Sequence, residues 1–241
     1  MALIPKSLQR LLRPMNYYRF LLWRAKILQV FLHSRAVTHK LTKSGHRGLF
    51  LDCGSNIGQG FEFFKKYYPN KLYDYILFEP NPYCFEVLLK KYTGQEITGL
   101  RLENVAIGVK DTDVDFYGIE DEKGGIYSVG GTVLPEHNSK IYAYPDHASL
   151  QVRSINFADF LLDILRENQY PFVILKLDIE GGEYQVLESL VAKDLISRFE
   201  TIYVEFHSQY MEENIRKIYS AKEKVFMNHA RISKTRMIKW I

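Results

Sequence analysis

The chain has 241 residues, 46% hydrophobic and 25% charged, a globular composition long enough for one large α/β domain with a well-buried sheet. Its two cysteines, Cys53 and Cys84, exclude a disulfide framework. Both fall in predicted core elements, so a reducing compartment, the cytoplasm, is expected. The net charge of +4 conceals ten basic and no acidic residues over 1–51, +5 over 219–241, and −11 between them.

Basic ends around an acidic centre point to an anionic partner met by the ends and not by the central site. Residues 1–47 read as a basic, amphipathic helical extension. A positive charge interrupts the apolar run every few residues, so no stretch approaches the ~20 residues of a spanning helix. The same charges run through the place where the apolar core of a cleavable signal would lie. Arginine-rich, acid-free leaders also resemble organelle transit peptides, although this one is poor in serine and rich in aromatics. Two readings stay open. One is a helix lying peripherally on an anionic membrane, with Phe20, Leu21 and Trp23 on one side and arginines on the other. The other is a helix docked on the domain with its basic face solvated.

From residue 48 strands and helices alternate. A strand is expected over 48–53 (GLFLDC), a helix over 57–68, a strand over 73–80 (YDYILFEP), and a helix over 82–92, capped by Asn81 and opened by Pro82. A third strand is expected over 101–108 (RLENVAIG) and a short one over 113–119. Residues 120–150, rich in Gly, Ser, His, Tyr and Pro, read as a loop or insertion. Its His137, His147, Tyr127, Tyr142 and Tyr144 are candidates for acceptor contacts. Residues 152–165 lead into a helix, 172–180 (FVILKLDIE) form a fourth strand and 182–191 a helix. A fifth strand at 200–207 (ETIYVEFH), a helix near 210–220 and one or two closing strands complete the chain. The predicted class is a Rossmann-like, mostly parallel sheet with helices on both faces, spanning 48–241.

Ligands of such sheets bind beyond the carboxyl ends of the strands, where strand order switches. Those ends read Asp52, Glu79, Asn104 with Ala106, Asp178 with Glu180, and Glu205 with His207: a polar group per strand, at one end. The turn after the first strand, DCGSNIG, lacks the first glycine of a dinucleotide fingerprint, and a carboxylate there repels a diphosphate. No phosphate-cradling Gly-Lys-Ser/Thr follows either. S-adenosylmethionine carries no phosphate and has a cationic methionyl end. Asp52 is placed for that end, Gly54, Asn56 and Gly58 for close backbone approach, Glu79 for the ribose hydroxyls, and Asn104 and Ala106 for the adenine edge.

With these residues in place the chain resembles the FkbM-type methyltransferases, a branch of the class I S-adenosylmethionine-dependent enzymes. The segments FLDCGSNIGQ, LFEPNP, ENVAIG, SINFADFL and VILKLDIEGGEYQVLESL occur in that family's order, over roughly 48–207. The resemblance implies methyl transfer to oxygen, often a hydroxyl of a sugar, glycan or polyketide.

Alcohols need a base or a metal to lose their proton. In KLDIEGGE, Lys176, Asp178 and Glu180 alternate onto one strand face, and Asp178 is the first choice as base or metal ligand. Lys176 also reads as a neutralising partner of the acids, and Glu180 and Glu183 as stabilisers of a helix N-terminus. His207 is a second candidate base. Asp178, Glu205 and His207 would suit magnesium or manganese if they converge. The competing reading is a non-catalytic membrane- or nucleic-acid-binding protein on the same fold, with the basic ends neutralising phosphates.

Overall fold

The computed structural model describes residues 14–119, 130–135 and 149–240. Its helices are α1 (Pro14–Ser44), α2 (Gln59–Phe64), α3 (Pro82–Tyr92), α4 (Phe157–Glu167), α5 (Glu183–Ala192) and α6 (Glu213–Ile232). Its strands are β1 (Gly48–Cys53), β2 (Tyr73–Phe78), β3 (Leu100–Glu103), β4 (Ala106–Gly108), β5 (Thr112–Tyr117), β6 (Ser149–Asn156), β7 (Val173–Leu177), β8 (Thr201–Val204) and β9 (Arg236–Lys239). Six of them form a sheet in the order β3-β2-β1-β7-β8-β9, and every pairing in it is parallel. Strand order therefore reverses between β1 and β7, which opens the crevice expected of a doubly wound fold.

Both faces of the sheet are covered, so its central strands are buried throughout. Alternate residues serve opposite sides. Leu49, Leu51, Leu175, Leu177, Ile202 and Val204 pack with Leu161 of α4, Leu187 of α5 and Phe226 of α6. Phe50, Tyr75, Ile174, Tyr203 and Ile238 pack with Val30 and Leu41 of α1, Phe61 and Phe64 of α2 and Leu88 of α3. Asn81 accepts from the backbone N–H groups of Tyr83 and Cys84, the expected cap of α3. Cys53 and Cys84 are buried free thiols.

Four expectations are corrected. The single strand over 101–108 is two, β3 in the main sheet and β4 in a second sheet ordered β4-β6-β5. Asn104 makes the break: its Nδ2 donates to the carbonyls of Glu79 (2.8 Å) and Pro80 (3.2 Å), pulling the chain out of the main sheet. The approach to α4 is the strand β6, paired antiparallel to β5 and parallel to β4. The helix expected near 210–220 runs on to Ile232 as α6, and one closing strand, β9, follows it, within the one or two expected. The fourth strand also stops at Leu177, so the alternation expected through Glu180 ends there.

Helix α1 is docked. Val30, His33, Ser34, Val37 and Leu41 are buried, and His33 Nε2 is hydrogen-bonded to Thr201 Oγ1 of β8. The side chain of Phe20 lies outside the described residues. Leu41→Ala, which empties a fully buried site, should cost about 2–5 kcal/mol, read as a lower urea midpoint of the whole domain. An unchanged midpoint would mean that α1 contributes nothing to the folded sheet.

Candidate active site

A cavity of about 290 Å³ opens at the carboxyl ends of the strands, between the β1 and β2 turns on one side and β7 and β8 on the other. Of the residues singled out in the sequence, Gly54, Asn56, Glu79, Ala106, Lys176, Asp178, Glu180 and Glu205 line it. Asp52, Gly58, Asn104 and His207 do not, and each stands behind the wall with a different task.

Asp52 is fully buried and neither of its oxygens has a well-aligned hydrogen-bond partner. Its compensation is the charge of Lys176, whose Nζ lies 3.1 Å from Asp52 Oδ1 and 3.2 Å from Asp178 Oδ2 and donates to the carbonyl of Gly54 at 2.6 Å. Burial alone would discharge this ammonium, but the Asp178 and Asp52 carboxylates outweigh it and hold its pKa above the ordinary value. The expected role of Asp52 at a ligand's cationic end is thus replaced: it is the internal counter-ion of Lys176.

Gly54 has φ +81°, and a Cβ there would lie 1.7 Å from the carbonyl oxygen of Asp178. The glycine is required because the β1 and β7 chains meet at this point, a packing reason where ligand approach was expected. Gly58 caps α2 at φ +88°, and a Cβ there would meet the hydroxyl of Tyr92 at 2.8 Å. Glu79 accepts from the N–H of Asn56 (Oε2, 2.7 Å) and of Asn81 (Oε1, 2.9 Å). Burial pushes its pKa up to about 7, against the pull of those two N–H groups.

After Leu177 the chain turns sharply through Glu180, at φ +52°, and Gly181, at φ +103°. A non-glycine residue in the left-handed region is uncommon and costs energy. Here Glu183 holds the turn together: fully buried, it accepts from Ile179 N (2.8 Å) and Gly181 N (3.0 Å). Its Oε1 also lies 2.9 Å from His207 Nδ1. The other nitrogen of His207, Nε2, faces Glu180 (3.4 Å), Asp178 (3.8 Å) and Glu205 (3.9 Å). From the sequence Glu183 reads as a stabiliser of a helix N-terminus; its contact with His207 spans 24 positions and leaves no local signal.

These carboxylates crowd one another. Burial, with Asp178, Glu183 and Glu205 nearby, raises Glu180 to about 8 despite His207. Burial and Asp178 raise Glu205 to about 7. Burial opposes the charge on His207, but Glu183, Glu180 and Asp178 overcome it and lift its pKa to about 10. The metal set expected from the sequence was Asp178, Glu205 and His207. Among the described residues, the trio whose ligand atoms all lie within 4.8 Å of one another is Asp178, Glu180 and His207.

Apolar walls come from residues with no role in the site assigned from the sequence: Val105, Ile107, Phe116, Val133 and Trp240. Most of the 120–150 loop, with Tyr127, His137, Tyr142, Tyr144 and His147, lies outside the described residues. Its described part, 130–135, reaches the site. Thr132 bridges to Tyr117 and its hydroxyl donates to the Glu180 carbonyl at 2.6 Å.

Residues 52–231 match the family model of the methyltransferase FkbM domain. A crystal structure of methyltransferase FkbM from Methylobacillus flagellatus KT is similar to the chain at 13% identity and a TM-score of 0.44. The match covers 74% of this chain and 37% of that one. No curated protein matches the chain.

Lys176→Met should cost about 3–5 kcal/mol, because it strands the buried Asp52 charge. Adding Asp52→Leu should recover most of that loss in chemical denaturation. If the double variant is no more stable than Lys176→Met, the pairing is not what holds the two strand ends.

Proposed function

The chain belongs to the FkbM methyltransferase family, and on that premise we propose that it transfers the methyl group of S-adenosylmethionine to a hydroxyl, with a sugar or glycan as the favoured acceptor. One observation carries this reading: the cavity at the strand-order switch is walled by Glu79, Asp178, Glu180 and Glu205, with the Lys176 charge engaged by Asp52 and Asp178. Such a wall attracts a sulfonium and an ammonium and repels a diphosphate. Glu79, whose oxygens each keep acceptor capacity beyond one backbone N–H, is placed for a ribose diol.

Bound S-adenosylmethionine would supply the methyl group, its S–CH3 electron pair staying on sulfur as the acceptor oxygen gained the methyl and gave up its proton. Positioning supplies much of the rate of such an in-line displacement. Asp178 is committed to Lys176, so its role in this scheme is orientation. Glu180, raised to about 8, is the carboxylate best matched to accept the proton near neutral pH. His207, clamped by Glu183, balances the charge left on the cluster. Thr132, whose hydroxyl donates to the backbone carbonyl of Glu180, ties the acceptor loop to the turn that carries this carboxylate. A polyketide or lipid-like alcohol would use the same chemistry. Carbohydrate is preferred on the family resemblance and the Tyr- and His-rich composition of the loop.

A second reading is favoured by the convergence of Asp178, Glu180 and His207. These residues would hold a hard divalent ion such as magnesium or manganese, which would lower the pKa of the acceptor hydroxyl. The Glu183 contact at Nδ1 would fix the histidine for ligation through Nε2. The proposed setting is reducing and cytoplasmic, and the free, buried Cys53 and Cys84 support it.

Three measurements test this function. By isothermal titration S-adenosylmethionine should bind the wild type, and Glu79→Ala should weaken it by about 1–3 kcal/mol. No heat with the wild type would favour the non-catalytic binder. With a panel of glycans as acceptors, turnover should rise with pH to a plateau above about 8, as Glu180 loses its proton. Glu180→Gln should remove that rise and lower turnover ~10²–10⁴-fold with little loss of cofactor affinity. Near-full turnover in Glu180→Gln, with an inactive Asp178→Asn, would move the proton to Asp178. Finally, activity lost in EDTA and restored by magnesium or manganese supports the ion reading, with manganese binding to the wild type but not to His207→Ala as an independent readout. Indifference to EDTA and no bound manganese reject it.

A further inference from the structure

Helix α1 uses its apolar residues twice. Val30, Val37 and Leu41, spaced i, i+7, i+11, are buried against the sheet. Leu21, Leu28 and Leu32 repeat the same spacing nine residues earlier, half a turn around the helix, and so lie on the opposite face. There they are 45%, 56% and 58% exposed, beside Phe31 at 41%. A helix docked on its own domain should turn a polar face outward, and a contiguous apolar stripe on a surface marks an interaction site. The exposed side chains of Arg24 and Arg35 flank this stripe. The whole helix carries six basic residues and no acidic one.

We propose that the outward face of α1 binds an anionic lipid surface, lying in the interface while the opposite face stays docked on the sheet. Charge decides between this occupant and a second copy of the chain. Two such helices packed face to face would bring Arg24 and Arg35 of each copy together with no acid on either helix to relieve them. An anionic bilayer offers phosphates to the arginines and acyl chains to the leucines and Phe31 at once. Among the described residues no helix is long and apolar enough to cross a membrane, so the contact is peripheral. The docked face carries this surface to the reaction cavity: Lys26 of α1 is near enough to feel the charge of Glu205 on the cavity wall.

The test is co-sedimentation of the full chain with phosphatidylcholine vesicles, with and without phosphatidylglycerol. The chain should pellet with the anionic vesicles, and added salt should weaken this. Leu28→Glu/Leu32→Glu should lower the bound fraction at least ~tenfold, since two leucines leave the acyl region. Arg24→Gln/Arg35→Gln should lower it and flatten the salt dependence. Circular dichroism and the urea midpoint of each variant, read on the same samples, separate loss of lipid contact from loss of fold. Any of three results overturns the proposal: no binding to anionic vesicles, binding indifferent to both variants, or a concentration-dependent dimer without lipid that Leu28→Glu/Leu32→Glu abolishes. Cofactor titration on the same samples is unaffected by any of these outcomes, so the proposal and the methyl-transfer reading fail separately.

Discussion

A buried ammonium sits where the two halves of the sheet meet. Lys176 Nζ reaches Asp52 on β1, the Gly54 carbonyl in the turn after β1, and Asp178 just after β7, all within 3.2 Å. Taking three charges out of water is expensive, and the cost is tolerable only when each is paired. The arrangement therefore has little freedom: moving the β1 turn away from β7 would leave Asp52 charged, buried and alone. The Gly54 backbone fits against the Asp178 carbonyl with no room for a Cβ. The crevice at the strand-order switch inherits its shape from this joint.

The charge of the cavity follows from the same joint. Burial, with Asp178 close by, raises the pKa values of Glu180 and Glu205, and the charge of His207, with Lys176 for Glu205, only partly offsets it. The backbone is bent to suit: Glu180 sits in the left-handed region, and that strain is held by Glu183 from inside and by Thr132 from the loop. Carboxylates on the edge of ionisation around an open space form an environment that responds to an arriving cation. Any cation held among them would stabilise their charged forms and so favour proton release.

Outside the crevice, the sheet's coverage depends on a segment beyond the family's matched span. The match begins at residue 52, yet Val30 and Leu41 of α1 belong to the same core as Phe50, Ile174 and Tyr203. The extension is thus structural on one face. Its burial of His33 illustrates the commitment: burial, with Arg236 and Lys40 nearby, lowers that pKa to about 4. Of the two readings open from the sequence, docking holds for the inner face. The outer face keeps the apolar and basic pattern that gave rise to the other.

The alternating pattern from Leu49 onward determined the parallel sheet, since strands buried on both faces must be apolar throughout and each crossover must be a helix. It also determined that Glu79, Asp178, Glu180 and Glu205 share one end, because in parallel strands every carboxyl end points the same way. Local chemistry was equally legible, as in the Asn81 cap. The sequence could not say which polar groups face the cavity and which support it from behind. Asp52 and Asp178 look alike along the chain, but Asp52 precedes the end of β1 and points into the α1–α3 layer, whereas Asp178 follows the end of β7 and reaches open space. The Glu183–His207 contact, the second sheet and the Trp240 wall depend on residues far apart in the chain. Such pairings are chosen by packing and by the cost of leaving a buried charge unpaired, and those forces act only once the chain has closed.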